Sequence, residues 1–364
     1  MKSNPLLSLE SLGQSIWLDY IQRELMASGK LKKLIDDDGL CGMTSNPSLF
    51  EQAISKSNDY DVDIQSMTTA GHSIDEIYAA LTLKDVQDAA DIFRALYHHL
   101  DGKDGYVSLE VNPHLAHDTE ATIKQARSLW QSLDRPNVFI KVPATKEGIP
   151  AIKQLISEGV NVNVTLLFGL PRYKEVAEAY IAGMETRAAS GASLKSVASV
   201  ASFFLSRIDV LIDPQLELAK EMQGQVAISS AKLAYQIYHE LFNSDRFKKL
   251  IEQGARVQRL LWASTSTKNP DYSDIKYVEA LIGPDTVNTM PLETLNAYRD
   301  HGNPQLELEQ DVDKARLIFK KLSALGIDID KMTQQLEDEG VEKFNKSFDE
   351  LLSQIKLKSA KGLT

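Results

Sequence analysis

The chain has 364 residues, 43% of them hydrophobic, enough for a large core, and a net charge of −11 with no basic run. That balance argues against general binding to nucleic acid or an acidic membrane surface, so an anionic ligand would need a local pocket of Arg or Lys. No apolar run is long enough to span a bilayer, residues 1–15 lack a signal-peptide pattern, and the one cysteine, Cys41, fits a reducing compartment. The expectation is a cytoplasmic globular protein.

In chain order, short apolar runs alternate with amphipathic ones. Strands are expected at 15–20, 40–45, 106–111, 138–143, 162–168, 196–204, 259–265 and 285–290. Most read as near-continuous apolar runs, the pattern of strands covered on both faces. Helices are expected at 83–100, 118–133, 145–159, 170–189 and 214–242, with two more after residue 304. In the first, Val86, Ala89, Ala90, Phe93 and Leu96 fall at helical spacing; the second opens on an Asp-Thr cap signal.

Strand alternating with helix implies a parallel sheet, because parallel strands need crossover connections. Eight such strands, with no Gly-rich dinucleotide fingerprint after the first, point to a closed (β/α)8 TIM-type barrel. The alternative is an open sheet in two domains. The long interval between the second and third strands predicts extra helices on a single barrel domain spanning 1–364, with residues 305–364 as closing helices.

Chemistry in such barrels sits at the C-terminal ends of the strands. Those positions hold Asp19, Asn46, Glu110, Lys141, Asn163, Thr165, Ser202, Arg207 and Ser264. Each has a plainer reading: Asp19 as a helix cap, Asn46 as the turn before Pro47, Thr165 and Ser202 as satisfied buried hydroxyls. Lys141, inside the apolar run "VFIKVP", could snorkel its ammonium to solvent. It could instead be a desolvated amine that attacks a carbonyl and forms a Schiff base, with the iminium as electron sink for carbon–carbon cleavage. That chemistry needs acid/base helpers, and Asp19 and Glu110 lie on other strands. His114 and His117 are the only histidine pair at i, i+3, and without further ligands they do not make a metal site.

The stretches "GMTSNPSLF" (42–50), "SLEVNPHLAHD" (108–118), "FIKVPATKEGIPAIKQLISEGVNVNVTLLF" (139–168), "ASFFLSR" (201–207) and "LWASTSTKNP" (261–270) resemble the transaldolases. The resemblance runs from "WLDY" to "TVNTMP" and, more loosely in its C-terminal helices, to the longer bacterial subfamily. It implies Lys141 as the Schiff-base lysine and Asp19 as the group that takes and returns the C4 hydroxyl proton. Glu110 and Thr165 match the pair that holds the water of imine formation and hydrolysis. Asn46, Asn163 and Ser202 match the groups that hold a dihydroxyacetone unit, and Phe204 a pocket-wall aromatic. Arg207 matches a phosphate-binding arginine, whose planar fork suits phosphate oxygens. Ser264 also matches, but where shorter relatives carry a second arginine this chain offers Lys268, a point charge without bidentate geometry.

The implied activity is cofactor-free and metal-free transfer of a dihydroxyacetone unit between sugar phosphates, in the non-oxidative pentose phosphate pathway. The residues alone reach only Schiff-base aldol chemistry on a phosphosugar. Two other readings stay open: a fructose-6-phosphate aldolase that releases free dihydroxyacetone, and a silent sugar-phosphate-binding barrel. A homodimer is compatible with the sequence, which leaves the oligomeric state open.

Overall fold

Eight parallel strands close into a barrel in the order of the chain: β1 (Gln14–Asp19), β2 (Leu40–Thr44), β3 (Tyr106–Glu110), β4 (Val138–Pro143), β5 (Val162–Leu167), β6 (Ser199–Phe204), β7 (Arg259–Ala263) and β8 (Thr286–Met290). β1 pairs with both β2 and β8, which closes the ring. The structure is a computed structural model that describes residues 4–361. Every expected strand is present within a few residues; β6 starts later than the sequence suggested, at Ser199. The open two-domain sheet is excluded.

Helices Pro47–Lys56, Asp61–Thr69 and Ile74–His99 fill the long β2–β3 connection. The last begins well before residue 83, at a capping box in which Ser73 and Glu76 satisfy each other's backbone amides. The expected helix over 214–242 is broken. Asp213–Gln215 and Lys220–Met222 are 3-10 turns, and the α-helix runs only over Val226–Phe242. Gly224 at φ 67° cannot lie within a right-handed helix, and the apolar spacing upstream of it belongs to a folded loop. After β8 come Leu292–His301, Val312–Ala324 and the 33-residue Ile329–Lys361, here called the C-terminal helix.

That helix crosses the C-terminal end of the barrel and is tied down along its length. Glu337 meets Arg172 at 3.1 Å. Ser347 bonds Ser48 at 2.7 Å, Asp349 meets His114 at 2.8 Å, and Lys358 bonds Asp61 at 2.6 Å.

Inside the barrel, Trp17, Tyr106 and Phe139 pack with ring centroids 4.3–6.4 Å apart. They form an apolar layer one strand repeat below Lys141. Gly42 on β2 makes room for the indole, since a Cβ there would lie 2.6 Å from the Trp17 ring. Near the opposite mouth, Arg259 is buried against Asp104 at 2.9 Å. Asp104 also accepts from Trp17 Nε1 at 2.9 Å and Ser15 Oγ at 2.7 Å. Removing one partner of such a buried pair leaves an uncompensated charge. Asp104→Ala is therefore expected to destabilise the fold by about 3–5 kcal/mol in urea unfolding. A loss below about 1 kcal/mol, the range of an exposed ion pair, would contradict this reading.

Candidate active site

The strand register puts Glu110 beside Lys141, and Lys141 beside Asn163. Lys141 Nζ lies 3.4 Å from Glu110 Oε2, with both side chains about 5% exposed. The same Nζ donates to the Ser45 carbonyl at 3.0 Å. A strand-buried ammonium held by one carboxylate and one carbonyl is not snorkelling to solvent. Neither Glu110 oxygen has a hydrogen-bond partner, and nor does the buried Thr165 Oγ1. Burial pushes the Glu110 carboxyl above the usual glutamate range, with Lys141 opposing the rise and Asp19 adding to it.

Asp19, half-buried at the end of β1, is not a helix cap. Its Oδ1 accepts from Thr44 Oγ1 at 2.8 Å, and Thr44 bonds Thr289 at 2.7 Å. Burial raises its pKa too, against the charge of Lys141, the Thr44 hydroxyl and the charge of Lys268, while Glu293 adds to the rise. Asn46 starts the next helix, as one of its two sequence readings had it, and also borders the central cavity. Its Oδ1 caps helix Pro47–Lys56 through Leu49 N at 3.0 Å.

That cavity, of about 370 Å³, is bordered by Asp19, Asn46, Lys141, Thr165, Ser202, Phe204, Arg207, Ser264 and Lys268. Two expected residues are not on its wall. Glu110 stands behind Lys141, and Asn163 is buried between neighbours, donating to Ser108 Oγ at 3.1 Å and accepting from Ser202 Oγ at 2.7 Å. Asn163 therefore reaches the cavity through Ser202. Thr44, Thr289, Glu293, Lys343 and Phe344 also line the cavity and were not singled out from sequence. Thr44 and Thr289 stand within the quoted strand-end motifs. Lys343 and Phe344 lie on the C-terminal helix, where a charge beside an apolar residue reads as an ordinary amphipathic face.

Local backbone shapes this wall. The β5–β6 register shifts after Val164, and Leu166 takes φ 56°, a bulge that re-aims the chain next to Thr165. Ser264, just past β7, sits at φ 55°, and its hydroxyl meets Ser206 at 2.8 Å. Left-handed non-glycine residues cost energy and persist where the surroundings hold them, commonly at functional sites. His114 and His117 pair separately, with Asp349 and Glu147.

Arg207 rides on the short helix Ser206–Ile212, and Asp209 anchors that helix by accepting from Ala227 N at 2.8 Å and Tyr277 Oη at 2.7 Å. Burial pushes the Asp209 carboxyl up to about 6. A raised folded-state pKa gives stability present below the unfolded value and lost as pH rises through the folded one. Relative to Asp209→Asn, the wild type is therefore expected to lose about 3 kcal/mol between pH 4 and 7, at about 1.4 kcal/mol per unit. Urea unfolding across that range checks it, and parallel profiles for the two proteins would contradict it.

The fold and the site define a class: an α/β barrel with a buried lysine between carboxylates at the strand ends and a cationic far wall. The sequence profile described as Transaldolase/Fructose-6-phosphate aldolase matches residues 16–355. A transaldolase of Saccharopolyspora erythraea is 48% identical, covering 96% of both chains. Transaldolases of Trichodesmium erythraeum and Mycobacterium tuberculosis are each 46% identical, covering 99% and 97% of both chains. The chain belongs to the transaldolase/fructose-6-phosphate aldolase family.

Proposed function

We propose that the protein is a transaldolase, moving a dihydroxyacetone unit from a ketose phosphate to an aldose phosphate through a Schiff base on Lys141. The observation that carries this reading is the buried Lys141–Glu110 pair at 3.4 Å, with Lys141 opening on a cavity that also holds Asp19. The amine adds to the C2 carbonyl of the ketose, and loss of water gives the iminium. Glu110, whose oxygens make no hydrogen bond within the protein, is the nearest carboxylate to exchange protons with Nζ and the carbinolamine oxygen, with the Thr165 hydroxyl helping to hold the water.

Asp19 takes the C4 hydroxyl proton. The C3–C4 bond then breaks, its electrons pass into the iminium to form an enamine, and the aldose phosphate leaves. The enamine next attacks the aldehyde carbon of an acceptor, Asp19 returns the proton, and hydrolysis frees the new ketose. Asn46 and Ser202 hold the three-carbon unit, with Asn163 fixing Ser202. Phe204 walls the pocket and supports Arg207, whose guanidinium carbon lies 5.8 Å from its ring centre. Arg207, Lys268 and Ser264 receive the phosphate. The substrates we assign are fructose 6-phosphate and erythrose 4-phosphate, exchanging with sedoheptulose 7-phosphate and glyceraldehyde 3-phosphate. We assign the protein to the cytoplasm, on its single reduced cysteine; no described helix is long and apolar enough to cross a membrane.

The competing aldolase reading differs only in what meets the enamine. With fructose 6-phosphate and erythrose 4-phosphate, the expected flux is sedoheptulose 7-phosphate formation matched by glyceraldehyde 3-phosphate, with free dihydroxyacetone a minor product. Dihydroxyacetone as the main product would favour the aldolase. Asp19→Asn is expected to lower kcat about 10²- to 10⁴-fold, the span of a positioned acid/base group. Unchanged kcat would remove Asp19 from the chemistry.

A further inference from the structure

Among the charged residues that border the cavity, Arg207, Lys268 and Lys343 stand out from Lys141, which has Glu110. None of these three makes an ion pair with a carboxylate among the described residues; Lys268 donates only to Ser266 Oγ, at 2.6 Å. The charges of Arg207 and Lys268 both act on Lys343. Arg207 is the largest influence lowering the pKa of Lys343, ahead of burial and Lys268. Glu339, one helical turn before Lys343, is the carboxylate that acts on Arg207, without contacting it within ion-pair distance. Three unpaired cations on one cavity wall repel each other in the free protein, and an arrangement of that cost fits a multiply charged anion.

The geometry explains how a distant part of the chain reaches this wall. The C-terminal helix passes so close to β5 that a Cβ on Gly340 would sit 3.0 Å from Leu166 Cδ2 and 3.8 Å from an Arg207 terminal nitrogen. Lys343 follows Gly340 by three residues and so lies on the same helix face. Phe344, buried, lines the cavity beside it.

We propose that Lys343 is a third cation of the phosphate subsite, so that the C-terminal helix completes the site and selects phosphorylated over unphosphorylated sugars. This rests on the sugar-phosphate reading above for the identity of the ligand, and on cavity geometry for the site itself. With three cations of different reach, the phosphates of aldoses of different length can each find two or more partners. Lysine on an exposed helix face suits that task, because its ammonium is a mobile point charge on a flexible stem.

The test separates the subsite from the reaction. Inorganic phosphate is titrated calorimetrically into the wild-type protein, Lys343→Ala, Lys343→Arg and, as a control on the same helix, Lys346→Ala. The expected result is affinity weakened about five- to tenfold in the alanine variant, the size of one net hydrogen-bonded contact, with recovery in the arginine variant and no change in the control. In turnover, Lys343→Ala should raise KM for fructose 6-phosphate by a similar factor at near-constant kcat, and leave kcat/KM for unphosphorylated fructose unchanged. Equal losses for both sugars would make Lys343 a structural residue, and unchanged phosphate affinity would remove it from the subsite; either overturns the proposal. Because phosphate binding needs no turnover, a Lys343-dependent affinity in a protein that fails to transfer dihydroxyacetone would overturn the transaldolase reading and leave this one standing.

Discussion

A lysine and a glutamate 3.4 Å apart, each almost wholly out of water, are the constraint around which the rest of the molecule is arranged. Taking two ions out of water costs several kcal/mol per ion even after relaxation, and attraction repays this only in good geometry. The register of β3 against β4 supplies that geometry, since it sets Glu110 and Lys141 side by side on adjacent strands. The aromatic layer beneath them keeps water out from below. The pair remains incompletely satisfied, because Glu110 has no further donor. A stable core would have paired those oxygens; a site that must pass protons benefits from leaving them free.

The two carboxylates show how one environment yields two roles. Both are pushed up by burial, and the charge of Asp19 adds to the rise at Glu110. Asp19 has a fixed hydroxyl partner in Thr44 and faces the cavity, which suits a group that meets the sugar hydroxyl. Glu110 stands beside Lys141 and off the cavity wall, which suits proton traffic at the nitrogen. At the far wall the sign of the field reverses: Arg207, Lys268 and Lys343 give a locally positive surface on a protein of net charge −11. On the proposed transaldolase reading, that opposition of cationic and catalytic ends would set a sugar phosphate with its carbonyl toward Lys141.

Much of this was legible along the chain. The eight strands could be read because parallel strands buried on both faces are short apolar runs, and polar residues at their ends stand out against that background. Lys141 was conspicuous for that reason. What escaped is equally physical. Asn163 reads as a substrate contact but is buried between Ser108 and Ser202, a relation set by neighbouring strands. The helix expected over 214–242 carried a convincing apolar pattern, yet Gly224 shows that backbone conformation outweighs periodicity. Lys343 lies some two hundred residues beyond Lys141, on a helix whose charged face looks solvated until the barrel mouth is placed beneath it. Spacing arguments work within one element, and this residue belongs to the site only through tertiary packing.

Covalent capture tests the central claim most directly. The protein is incubated with fructose 6-phosphate, reduced with borohydride, digested, and mapped by mass. The expected product is a dihydroxypropyl group on the peptide containing Lys141, formed as glyceraldehyde 3-phosphate leaves and the three-carbon imine is reduced. Absence of an adduct, or its appearance on Lys146 or Lys153 instead, would contradict the account.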